Sequence, residues 1–450
     1  MNVARLSGAA LPYMVQSYFA RLNNTEMTGD MQMNDGSGEH RTARASAIAG
    51  RSALGPFAKR FRAIQGRAWW CALLLIALIV PASGRKGEGE PALPLLTERF
   101  QSELDRFQKA GAFPGATAAF ILADGRYAVC AAGYADKEQK VPMKADSRML
   151  SGSVGKTFAA AVALSLAQEG KVGLDDKIEK WLGGEDWFSR LPNGKDITLR
   201  MLLTHSSGLT DHVNDLGFGL AVLQRTRSAT PDPDFHFKPR ELVEFVLDKK
   251  PLFPAGQGYS YTDTGYILVG MIIERAAGST YYAELQKRFL DPLKLTLTVP
   301  ANTRDIPGLS PGYMSPSNPL GLPAKTVADG KMLFNPANEW TGGGLATNPG
   351  DLVRWAKALY EGKAMPKPYR DDLLKSVPCD KSGKTRYGAG VVIQESGLGK
   401  IYGHDGWFPG YRTILVYLPA RKVAIAMQTN TDVNQNMGKY LLALAKIVVP

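Results

Sequence analysis

Cysteine is scarce, with three in 450 residues. That excludes a dense disulfide scaffold, and none of Cys71, Cys130 and Cys379 is spaced like a metal or redox motif. Cys71 lies in an apolar run, so only Cys130 and Cys379 are left to pair in the folded part. Their spacing cannot show that they meet, and two separate thiols explain them equally well. The formal charge is +12, yet no basic run is interleaved with aromatics, which speaks against a nucleic-acid partner. Internal repeats are missing. So is a long apolar run: residues 68–80 fall short of the about 20 residues that a membrane span needs. What remains has the balance of a globular chain, 44% hydrophobic and 21% charged, long enough for two or three domains or for one large core with an insertion.

The short apolar run has its own logic. Lys59, Arg60, Arg62 and Arg67 precede it, and Pro81-Ala82-Ser83-Gly84 follow, which is the layout of a signal peptide. We therefore expect residues 68–84 to be a signal peptide or a short uncleaved anchor, and the protein to be periplasmic, secreted or held at the membrane by residues 68–80. Residues 1–67 show little periodicity and read as a disordered leader or, preferably, as sequence upstream of the true translation start. Residues 85–450 then form the working domain.

Its periodicity changes along the chain. Residues 91–111 place Leu95, Phe100, Leu104 and Phe107 at helical spacing, and two apolar runs, 115–122 and 126–132, flank the hairpin signal Ala123-Asp124-Gly125. Helical patterns dominate the middle, in segments starting at Leu174 and over 197–203, 239–248 and 266–277. Loops over 211–239 and 300–340 are long enough to wall a substrate site. Alternation returns at 387–394, 400–403, 411–418 and 423–428, and residues 437–448 read as a closing helix. Strands from both ends with helices between predict an α/β (α+β) fold, one antiparallel sheet flanked by helices and interrupted by a helical domain. The sheet-bearing part would be 85–150 and 341–450, the helical part 151–340.

Three short constellations carry chemistry. Ser153-Val154-Gly155-Lys156 lies between a stretch that reads as a loop, 146–150, and a helix over 157–168 that is apolar nearly all round. A serine there can be a plain N-cap, but residues three apart on a helix share a face, so Lys156 can reach the Ser153 hydroxyl and act as its base. Tyr261-Thr262-Asp263 precedes the next helix; Asp263 can be a cap or turn residue, while a phenol beside Lys156 could relay the serine proton. His404-Asp405-Gly406 reads as the end of a strand, where the imidazole could meet a substrate carboxylate or leaving group and Gly406 permits close approach. Trp407 would offer a backbone N–H which, with that of Ser153, could form an oxyanion hole. Two glycines needed by rival chemistries are missing. Position 150 is Leu150, which rules out a P-loop ending at Gly155-Lys156-Thr157, and Ser151 stands where a nucleophile elbow around Ser153 needs glycine.

The ordered set Ser153-x-x-Lys156, Tyr261-x-Asp263 and His404-x-Gly406 resembles the three motifs of the serine β-lactamase and DD-peptidase superfamily, most of all its class C branch with the related esterases and D-amino-acid peptidases. Leu202-Leu203-Thr204-His205-Ser206-Ser207-Gly208-Leu209, Gly342-Gly343-Gly344-Leu345 and Pro409-Gly410-Tyr411 are similar landmarks, and the likeness covers about residues 113–430. The resemblance implies a β-lactamase/transpeptidase-like fold and an acyl-enzyme on Ser153. Lys156 and Tyr261 would shuttle the proton, Asp263, His404, Gly406 and Trp407 would line the substrate, and no metal or organic cofactor is expected. The substrate would be an ester or amide, as for an esterase, a D-amino-acid peptidase, a DD-carboxypeptidase-like enzyme or a weak β-lactamase. Two departures argue against an efficient β-lactamase: Asp263 replaces the usual Asn, and His404 replaces the usual Lys. No counterpart of the class A deacylating glutamate is present. A β-lactamase-fold binding or sensor protein that has lost turnover is the alternative.

Overall fold

The computed structural model describes residues 92–449 except 227, 229, 230, 317, 319–321 and 434. The expectations for residues 1–67 and 68–84, and Cys71 with them, lie outside the described residues. Among the described residues no helix is long and apolar enough to cross a membrane.

Among these residues nine strands form one antiparallel sheet. In chain order they are β1 (Gly115–Ile121), β2 (Tyr127–Asp136), β3 (Val141–Pro142), β4 (Val377–Pro378), β5 (Thr385–Tyr387), β6 (Val392–Ser396), β7 (Gly399–Phe408), β8 (Tyr411–Leu418) and β9 (Val423–Thr429). Their order across the sheet is β3-β2-β1-β9-β8-β7-β6-β5-β4, so the first and last strands of the fold pair in its interior. The β1–β2 hairpin turns at Gly125, whose φ of 92° favours glycine.

β1 and β9 are buried along their whole length, which is why β1 reads as an apolar run, and β9, expected to alternate, is instead apolar from Val423 to Met427. Alternate side chains serve two layers. On one face, Ala118, Phe120, Ile425 and Met427 pack against helix α1 (Leu93–Lys109) through Phe100 and Leu104, and against the closing helix α5 (Met437–Val448) through Met437 and Leu444. On the other, Ala119, Ile121, Ala424 and Ala426 meet a larger core built from α2 (Lys156–Gln168), α3 (Asp263–Ala277) and α4 (Pro349–Glu361). Phe158 of α2 stacks on Trp355 of α4 at 4.1 Å, and the Trp355 indole N–H donates to Thr157 Oγ1 at 2.9 Å. Those contacts seat α2, and hence Lys156, against the sheet.

Several elements differ from the sequence-based expectation. The run 387–394 is two strands, because Gly390, at φ 70°, turns the chain where an added Cβ would lie 2.7 Å from Lys156 O. Met149–Leu150 is a short strand, paired with Leu345–Thr347 in a three-stranded sheet of its own. The loop over 211–239 contains the helix Leu216–Thr226, and α4 was not foreseen. Cys130 and Cys379 are separate free thiols.

Candidate active site

Ser153 is not an N-cap. It sits in a 3-10 turn, Gly152–Gly155, and α2 begins at Lys156 with no side chain capping it. Backbone crowding fixes the turn. A Cβ on Gly152 would lie 2.5 Å from Trp407 O, one on Gly343 would lie 2.4 Å from Gly152 O, and one on Gly406 would lie 2.0 Å from Ser151 O. Three glycines therefore let three backbones meet around Ser153, and Gly152 also needs its φ of 49°. His404, Gly406 and Trp407 lie within β7, not at its end. β6 pairs only with Gly399–Gly403, which leaves the far edge of β7 facing the serine turn.

Lys156 is wholly buried, and its Nζ has three acceptors: Ser153 Oγ at 2.9 Å, Gly342 O at 2.6 Å and Asp263 Oδ1. Three acceptors match the three N–H groups of an ammonium. Asp263 is the first residue of α3, its side chain 21% exposed, so the pair is shielded on the lysine side and open on the other.

Tyr261 brings its ring to 5.0 Å from Lys156 Nζ. Burial, then the Asp263 charge, push its phenol well above the ordinary 10, while the neighbouring Ser153 hydroxyl acts in the opposite sense. The Tyr261 hydroxyl oxygen is buried and has no hydrogen-bond partner among the described residues. The phenol thus carries its proton at rest.

His404 differs from expectation. Its ring is buried, Nε2 accepts from the Tyr387 hydroxyl at 2.8 Å, and Nδ1 donates to Asp405 O at 2.5 Å. Burial lowers it to about 4, so β7 presents a neutral, engaged imidazole to the cleft wall and no cation for a carboxylate. The Trp407 side chain is 44% exposed; its backbone is the part that adjoins the turn.

Two carboxyl groups near this centre were missed. Asp211 accepts from Asp263 N at 3.1 Å, and burial followed by the Asp263 charge raise it to about 8. Glu339 is raised to about 7 by burial and then by Asp263, with Lys156 opposing. Both lie in the two long loops that the sequence marked as walls, which was the available signal. Asp211 also caps the turn His212–Asn214, a local role that hides its reach.

The Beta-lactamase family profile matches residues 100–448. Penicillin-binding protein 4* of Bacillus subtilis is 27% identical over 314 residues, covering 67% of this chain, and the chain spans 64% of that relative's length. Lovastatin esterase of Penicillium rubens is 29% identical over 242 residues, 50% of this chain and 58% of the esterase. Among solved structures, a D-stereospecific amidohydrolase from Streptomyces sp. superposes with a TM-score of 0.65 at 27% identity, covering 77% of this chain and 98% of that one. With the sheet, the helical insert and the Ser153–Lys156 turn in place, the chain belongs to the beta-lactamase family of serine hydrolases.

Proposed function

We propose that the protein hydrolyses an ester or amide through an acyl-enzyme on Ser153, with a neutral D-amino-acid amide or a comparable neutral ester as its substrate class. The observation that carries this reading is the fully buried Lys156 with its Nζ 2.9 Å from Ser153 Oγ. Ser153 Oγ attacks the carbonyl carbon and gives up its proton as the C–O bond forms. The Tyr261 phenol, protonated at rest, hands its own proton to the leaving oxygen or nitrogen as the C–X bond breaks and takes the serine proton in the same relay, so it ends as it began. Lys156, 5.0 Å from the ring, stabilises the negative charge that builds on the phenol as its own proton departs ahead of the serine's. The N–H groups of Ser153 and Trp407 receive the oxyanion, a contribution of roughly 10²–10³ in turnover per donor. Water then attacks the acyl carbon along the reverse route, releasing the acid and restoring the serine hydroxyl.

The neutral-substrate preference rests on His404, which is uncharged above about pH 4 and has both ring nitrogens engaged. A β-lactam or a C-terminal carboxylate would find no cation on that stretch of β7. The esterase and amidohydrolase relatives support an ester or amide as the bond that is cleaved. Export to the periplasm or medium is part of the proposal, on the strength of residues 59–84. Ser153→Ala tests the core of it: hydrolysis of a p-nitrophenyl ester should fall to background. Unchanged hydrolysis would remove Ser153 from the mechanism. Absence of turnover in the unaltered protein, with neutral esters and D-amino-acid amides alike, would instead favour a silent binding protein, the reading that the Lys156–Asp263 pair invites.

A further inference from the structure

We infer that His205 is a positioning residue for Tyr261, a template that fixes the phenol beside Ser153. The inference rests on the shuttle role proposed above for Tyr261. His205 follows the short helix Leu199–Leu203 and is fully buried, at a φ of 55° that few side chains adopt. From there it holds both neighbours of Tyr261. Ser260 N–H donates to His205 O at 3.0 Å, and Thr262 N–H donates to His205 Nδ1 at 3.2 Å. The imidazole also lies under the phenol, ring centroids 4.1 Å apart with a tilt of 37°. Tyr387 at 4.6 Å and Tyr266 at 5.2 Å back the imidazole, so it has no room to swing away.

The protonation state fits this task. Because Nδ1 accepts, the ring proton belongs on Nε2, and Nε2 has no partner among the described residues. A buried donor left unpaired is costly, and such groups call for an explanation. Here the explanation is the other nitrogen: an aromatic ring without a heteroatom would fill the space but could not receive the Thr262 N–H. Burial and the Lys156 charge keep the imidazole neutral, so its Nδ1 lone pair stays available.

A shuttle must stand within hydrogen-bond reach of the proton it moves, and a displacement of about 1 Å can cost 10²-fold. His205→Phe keeps the platform and loses the acceptor; His205→Asn keeps an acceptor and loses the platform. With p-nitrophenyl acetate, His205→Phe should lower kcat by about 10- to 100-fold with KM changed less than about two-fold, and His205→Asn should recover part of the loss. In a Tyr261→Phe background, His205→Phe should add less than about two-fold, because its effect passes through the phenol. Near-UV circular dichroism checks packing, and His205→Asn carries the test if His205→Phe does not fold. If Tyr261→Phe lowers kcat while the His205 variants do not, or if the two losses multiply, the positioning inference is overturned and the shuttle stands. If Tyr261→Phe leaves kcat unchanged, the shuttle falls and the inference with it.

Discussion

Replacing Glu339 by glutamine probes the electrostatics of the site without touching Ser153 or Lys156. In the folded protein, burial and the Asp263 charge raise this carboxyl from 4.5 to about 7. Between those values the folded state binds more protons than the unfolded one. The contribution of the group is therefore full below about 4.5 and is lost as pH rises towards 7. The gap from 4.5 to about 7 corresponds to about 3.5 kcal/mol at about 1.4 kcal/mol per pH unit. Glu339 keeps some contact with solvent, which brings the expected effect to roughly 1–3 kcal/mol. Glutamine has the shape of the protonated acid and cannot ionise. Urea denaturation of Glu339→Gln and the unaltered protein at pH 5 and pH 8 reads the difference directly. The variant should gain roughly 1–3 kcal/mol relative to the unaltered protein between the two pH values. A stability difference that is the same at both within about 0.5 kcal/mol, or that grows in the opposite direction, would refute the charge assignment around Lys156.

Other perturbations test separate links. Gly406→Ala drives a methyl group to 2.0 Å from Ser151 O and 3.2 Å from Ser153 N, so the serine turn must move. Ester kcat should fall about 10²-fold or more, and activity within about two-fold of the unaltered enzyme would show that the turn tolerates displacement. Trp355→Ala removes the stack on Phe158 and the bond to Thr157; urea denaturation should show a loss of about 3–5 kcal/mol. A neutral ester should exceed its analogue with a free carboxylate on the acyl side by at least about 10-fold in kcat/KM at pH 7, since no cation at His404 meets that charge. Equal values would place a cation elsewhere in the cleft.

Elements with strong periodicity were legible in the sequence. β8 and α5 match the expected ranges, and β1 differs only at its last residue. α4 was overlooked although its signals were present. Asn348 accepts from Asp351 N at 2.9 Å as a cap, Pro349 opens the first turn, and Gly362, at φ 93°, closes the helix. The split at Gly390 could not be read locally, because its cause is the approach of the Lys156 backbone from far away in the chain. The site divides in the same way. Ser153, Lys156, Tyr261 and Asp263 carry spacing signals, and the structure brings them together. Asp211, Glu339 and His205 matter through tertiary neighbours: a shared carboxylate in two cases, and the N–H groups flanking Tyr261 in the third. His404 is the converse, a residue whose motif position suggests a substrate contact while its partners are Tyr387 and the Asp405 backbone.

The central claim is the acyl-enzyme on Ser153. It is tested most directly by mixing the purified protein with a p-nitrophenyl ester, quenching in acid within the first turnover, and measuring intact mass followed by peptide mapping. The account predicts one acyl group per chain, on the peptide carrying Ser153, and none in Ser153→Ala. Acylation at another residue, or product release with no adduct at any quench time and no loss in Ser153→Ala, would contradict it.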